Sequence, residues 1–113
     1  MRIAFFGSSL VSAYWNGACT YYRGIIRALA ERGHEVTFYE PDALERQRHR
    51  DIEDPPWARV EVYAVPDAPA VRAVVARAAA KTEVLVKASG VGVYDDVLEE
   101  AVLEGARGVI DFN

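Results

Sequence analysis

The sequence predicts a three-layer α/β domain on a parallel five-stranded sheet of order 3-2-1-4-5. Three observations carry this. Five short apolar stretches, Ile3–Phe6, Val36–Tyr39, Val60–Ala64, Val84–Lys87 and Val109–Phe112, alternate with helical patterns. They are rich in Val, as strands covered by helices on both faces should be. Right-handed crossovers and sequential pairing then favour that strand order.

The first strand leads into a polar loop, Gly7 to Gly17, and then a helix from Ala18 to Arg32. Tyr21, Tyr22, Ile25, Ile26 and Leu29 form the apolar face of that helix, with Arg23, Arg27 and Glu31 opposite. Gly33 stands where a left-handed residue closes a helix. After the second strand, Pro41 to Trp57 has no apolar period. Its core, Glu45-Arg46-Gln47-Arg48-His49-Arg50-Asp51, reads as a solvated charged stretch with one helical turn at most, and Pro55-Pro56 breaks any helix. A second helix is expected from Pro69 to Lys81, capped by Asp67, with Val71, Val74, Val75 and Ala78 inward. A third runs from Tyr94 to Glu104, burying Val97, Leu98, Ala101 and Val102. Asp95 and Asp96 in its first turn suit the positive end of the helix.

A chain of 113 residues is one domain with a substantial core. Its 51% apolar and 27% charged residues are those of a soluble globular protein. The net charge of −4 argues against nucleic acid as the main partner. The single cysteine, Cys19, excludes an internal disulfide and fits a reducing cytosol, so a cytoplasmic location is expected. No apolar run reaches the roughly 18 residues of a membrane span, and the opening residues read as a strand rather than a signal peptide.

In the order 3-2-1-4-5 the topological switch point lies between strands one and four. Open α/β sheets bind ligands there, outside the carboxyl ends of the strands. Two loops rich in glycine and serine flank it: Gly7 to Gly17, and Ala88 to Gly92. The first is eleven residues long, against about two to six for an ordinary strand-to-helix connection. The residues read as substrate-binding are Gly7, Ser8, Ser9, Tyr14, Trp15, Asn16 and Gly17 from the first loop, with Lys87, Ser89 and Gly90 beside the second. Glycines allow close approach, and N–H groups at a helix start attract anions; the bland alternative is that these glycines serve only the turns. Tyr14-Trp15 either stacks on a sugar ring or base, or anchors the loop. Lys87 either meets an anion or snorkels out of the sheet edge.

Other chemistry is excluded or unsupported. Neither GxGxxG nor GxxxxGK[ST] is present, so Glu40 after strand two is a weak match to the ribose-binding acid of dinucleotide folds. His34 reads as a surface turn residue and His49 as solvated. No spacing of His, Cys, Asp and Glu suggests a metal. Cys19 and the serines lack a nearby base, so no catalytic residue is assigned.

Met1 to Gly7, Asn16-Gly17-Ala18, Tyr22-Arg23-Gly24 and Leu29 to Val36 (LAERGHEV) together resemble the N-terminal half of GT-B glycosyltransferases. Phe38-Tyr39-Glu40-Pro41-Asp42 and Lys87-Ala88-Ser89-Gly90-Val91-Gly92 look closest to the bacterial spore-maturation-type branch. The resemblance implies a Rossmann-like domain that orients the sugar acceptor. A C-terminal partner domain would hold the nucleotide-sugar donor, with no cofactor bound tightly here. By position, Gly7, Asn16 and Gly17 would match the loop that approaches the donor diphosphate. The doubled glycine usual in that loop is Gly17-Ala18 here, and the family continues for a further domain beyond the length of this sequence. On this reading the chain is inactive alone, and its uncovered inter-domain face favours self-association. A different class remains open: a stand-alone flavodoxin- or receiver-like module binding a nucleotide or flavin. Phe5-Phe6-Gly7 and Tyr63-Ala64-Val65 stand where a receiver needs acids, which disfavours phosphotransfer.

Overall fold

The computed structural model describes residues 1–105 in full and 109–112 as backbone. The chain forms an α/β domain on a parallel sheet. Its elements are β1 (Arg2–Phe6), α1 (Cys19–Glu31), β2 (Glu35–Pro41), β3 (Arg59–Tyr63), α2 (Ala68–Lys81), β4 (Val84–Ala88), α3 (Asp95–Gly105) and β5 (Val109–Phe112). The order across the sheet is β3-β2-β1-β4-β5. Strands β1 to β4 carry the described side chains, and β5 adjoins β4 through its backbone register.

Alternation along each strand divides the core into two layers. Ile3 and Phe5 face α1 with Val36, Phe38 and Val86, and pack on Tyr22 and Ile26. Ala4 and Phe6 face the other way with Tyr39 and Leu85, against Val71, Val75 and Ala78 of α2 and Leu98 and Val102 of α3. Aromatic stacks tie neighbouring strands on each face. Phe5 lies on Phe38 with centroids 5.4 Å apart, and Phe6 lies on Tyr39 at 4.7 Å.

The helix ends follow local chemistry. Asp67 caps α2 by accepting the Ala70 N–H at 2.9 Å. Gly33, at φ +88°, closes α1. Its own N–H reaches Ala30 O at 3.0 Å while the His34 N–H reaches Leu29 O at 3.1 Å, a bond pair that only a left-handed residue permits. Tyr21 corrects the expected inner face of α1, being exposed. The buried stripe is Cys19, Tyr22 and Ile26, and Tyr21 lies about 100° around the helix from Tyr22. The region after β2 holds one short 3-10 turn, Arg46–His49. Glu45, Arg48, His49, Arg50 and Asp51 are exposed as expected, but Arg46 departs from the expectation, being buried.

Candidate functional site

The loop after β1 (residues 7–18) and the loop after β4 (residues 89–94) meet above the carboxyl edge of the sheet, on either side of the switch point. Residues 7–12 of the first loop are buried, so its backbone polar groups need partners inside the protein. Side chains supply them. The Asn16 amide donates to the carbonyls of Ser9 and Ser12, both at 2.9 Å, and its oxygen accepts from Ser8 Oγ at 2.6 Å. Ser12 Oγ donates to His49 O at 2.9 Å. Arg23 Nε donates to Leu10 O at 2.8 Å, while its two terminal nitrogens fork onto the Asp51 carboxylate at 2.9 and 2.7 Å.

Two buried ionisable groups organise this assembly, and sequence reasoning assigned neither to the site. Glu40, at the end of β2, has no exposed surface. Its carboxylate accepts from Ser9 Oγ at 2.6 Å, the Leu10 N–H at 3.0 Å and the Gln47 amide at 2.6 Å. Arg46 is 5% exposed. Its guanidinium donates to three carbonyls: Tyr14 at 3.4 Å, Trp15 at 3.1 Å and Val91 at 3.4 Å. One side chain thus ties the two loops together.

Lys87, at the end of β4, neither snorkels out nor stands free. It is buried, and its ammonium turns back to Ala88 O at 3.1 Å and Asp95 Oδ1 at 3.2 Å. Asp95 also accepts the N–H groups of Val91 at 2.8 Å and Gly92 at 3.0 Å. Partial burial alone would raise the pKa of Asp95, but the Gly92 and Val91 N–H groups and the Lys87 ammonium outweigh it and hold the carboxyl below the usual range. The folded pKa is then below the unfolded one. The contribution of Asp95 to stability is therefore present above the unfolded value and lost as pH falls through the folded one. Asp95→Asn is expected to flatten the fall in stability below about pH 4, as read from urea midpoints against pH; an unchanged acid limb would contradict it.

The aromatic pair divides its roles. Tyr14 is half-buried and stacks on the His49 ring at 3.9 Å and 11°, which anchors the loop. Trp15 is 81% exposed, in the left-handed region at φ +47°. Among the described residues, the other non-glycine positions with positive φ, Leu44, Glu45 and Tyr94, lie in the loops that follow β2 and β4. Such backbone costs about 1–2 kcal/mol per residue and persists where the surroundings enforce it. Helix α1 begins behind Gly17 without a side-chain cap or an acid in its first turn. Gly17, Ser89 and Gly90 are exposed, whereas Gly7, Ser8, Ser9 and Asn16 are buried and serve the loop's own framework.

Comparison with protein-family models and with curated proteins gives no match. Among the described residues, no group of His, Cys, Asp and Glu is placed to hold a metal, and no helix is long and apolar enough to cross a membrane. Cys19 is buried, with its thiol pKa raised by burial, an environment that suppresses thiolate chemistry. A charged depression of about 840 Å³ lies towards the amino ends of the strands, lined by Arg2, His34, Glu35, Arg59 and Lys81. It is remote from both loops.

The Tyr63 hydroxyl, at the end of β3, is buried with no hydrogen-bond partner among the described residues, and burial pushes its pKa up. A buried polar group without a partner costs about 1–3 kcal/mol. Tyr63→Phe is therefore expected to stabilise the protein by about 1 kcal/mol, raising Tm by about 4 °C. A lower melting temperature would mean that the hydroxyl is satisfied in solution.

Proposed function

We propose that this chain is the acceptor-side, Rossmann-like domain of a cytoplasmic GT-B glycosyltransferase, working with a second domain that holds a nucleotide-sugar donor. The observation that carries the reading is Trp15. Its indole stands 81% exposed on a loop whose backbone is pinned by Arg46, Asn16 and the Tyr14–His49 stack. A large apolar ring standing in water on a pinned backbone beside a switch point is a platform on which a sugar ring can stack.

Two further features support it. The two loops flank the crevice where open parallel sheets take ligands. The sequence resemblance to GT-B N-terminal halves covers the same elements: the LAERGHEV end of α1, the loop closing on Asn16-Gly17, and Lys87 to Gly92. In this reading Trp15 orients the acceptor beside the exposed Gly17, Ser89 and Gly90. The uncapped start of α1 favours a negative group of the donor. The chain alone transfers no sugar, and the face meant for the second domain favours self-association.

The test is transfer by the full-length protein across a panel of nucleotide sugars, followed by chromatography of products. Turnover with one donor class is expected. Trp15→Ala is expected to raise the acceptor KM about three- to tenfold, the value of one aromatic stack. Absence of both turnover and binding with every nucleotide sugar would overturn the reading.

A further inference from the structure

We propose that Arg46 is a receptor for an oxyanion, a phosphoryl group of the ligand, which enters the crevice along Gly92 and takes the guanidinium from its backbone carbonyls. A buried guanidinium ordinarily faces a carboxylate, because an uncompensated buried charge is expensive. Here the nearest acids in the network are engaged by other donors. Glu40 accepts from Ser9, Leu10 and Gln47, and Asp95 from Lys87, Val91 and Gly92. Arg23, by contrast, forks onto Asp51, and Lys87 reaches Asp95. Among the described residues Arg46 is the buried cation without an ion pair.

Its substitutes are weak. The bonds to carbonyls span 3.1–3.4 Å, whereas charge-assisted bonds to anions are about 2.7–2.9 Å. Five N–H donors in a planar fork match the paired oxygens of a phosphoryl group better than three separate carbonyls do. Gly92 stands beside them. Gly92 is exposed, and a Cβ there would stand 3.5 and 3.8 Å from the two terminal guanidinium nitrogens and 3.3 Å from a δ-methyl of Leu44. The space left by the absent side chain is no larger than a methyl group, so an oxyanion reaches the guanidinium as the exposed Leu44, on a left-handed backbone at φ +55°, moves aside. Because the same guanidinium ties Tyr14 and Trp15 to Val91, occupation of Arg46 would also reset the distance between the two loops.

The choice of a phosphoryl ligand rests on the function proposed above; the receptor itself rests on the geometry of Arg46. The experiment titrates the 113-residue chain with inorganic pyrophosphate, and with acetate at matched ionic strength. It follows tryptophan fluorescence, with Trp57→Phe isolating the Trp15 signal, and the Arg46 Nε–H resonance in the NMR spectrum. Saturable binding of pyrophosphate is expected, with a shift of both signals and no comparable response to acetate. Arg46→Gln should weaken it by about tenfold or more, while Arg46→Lys, a point charge without the fork, recovers part of the affinity.

The Nε–H shift in the unaltered chain keeps the test valid if a variant fails to fold. An unmoved Nε–H at saturating pyrophosphate, equal binding by Arg46→Gln, or equal response to acetate would each overturn the proposal. Arg46-dependent pyrophosphate binding in a full-length protein that binds and turns over no nucleotide sugar would leave the receptor standing without the glycosyltransferase. Sugar transfer together with Arg46-independent pyrophosphate binding would do the reverse.

Discussion

Glu40→Ala is expected to destabilise the protein by about 3–5 kcal/mol, as a lower urea midpoint with a similar slope. The carboxylate is fully buried and holds three donors that no other acceptor serves: Ser9 Oγ, the Leu10 N–H and the Gln47 amide. Truncation strands all three, each at about 1–3 kcal/mol, with some relief from water entering the space. For a domain with total stability of about 5–15 kcal/mol this is a large fraction. Glu40→Gln separates the acceptor role from the charge. Its carbonyl oxygen still accepts, the Ser9 hydroxyl rotates and the Gln47 amide flips, so the loss should be only about 1–2 kcal/mol. Equal losses in the two variants would show that the negative charge itself, set against the buried Arg46, is what the site needs.

The same residue shows where the sequence stops being legible. Glu40 occupies the position of a ribose-binding acid, one residue past an apolar strand, and nothing local distinguishes that role from its actual one. Its partners Ser9 and Leu10 lie about thirty residues upstream, and only the β1–β2 register brings them together. The strands, the cap at Asp67 and the stop at Gly33 were legible because each is written in residues close along the chain. Tyr21 was not. An apolar 3.6-residue period fixes a stripe only to within a residue, and a tyrosine on its border tolerates water.

Arg46 sits in a run of charges whose composition says solvent, yet the left-handed pair Leu44 and Glu45 turns it inward. One signal for it does exist in the sequence. A long first loop that folds inward presents many backbone carbonyls, each requiring a donor. A side chain with five N–H groups can serve several of them until a ligand takes it, and Arg23 of α1 and Arg46 after β2 both reach this loop. The juxtaposition of the two loops was readable from strand order. The division of the loop into a buried framework and the exposed Trp15 was not, because it depends on which side of a turn each residue falls.

The position of the first loop is itself set by the core beneath it, and a mutant cycle measures how strongly. Phe38 is fully buried between Phe5 and Tyr22, with centroids 5.4 and 5.5 Å away. Phe38→Ala removes a ring and leaves a cavity, at an expected cost of about 3–5 kcal/mol. The edge of that ring also lies directly under Gly7, where an added Cβ would meet Phe38 Cζ at 2.5 Å and Cε2 at 3.0 Å. Gly7→Ala in the native background therefore forces the ring or the loop to move, at about 1–3 kcal/mol. In the Phe38→Ala background the same methyl enters space the ring has vacated, and its cost should fall to that of the remaining 3.3 Å contact with Tyr22. The expected coupling is then about 1–3 kcal/mol, well outside the ~0.5 kcal/mol scatter of independent sites. Additive losses would mean that the loop rides clear of the core when pushed. A large coupling would mean that Ser8, Ser9 and, through Asn16, the exposed Trp15 are held at their height above the sheet by the packing of one phenylalanine.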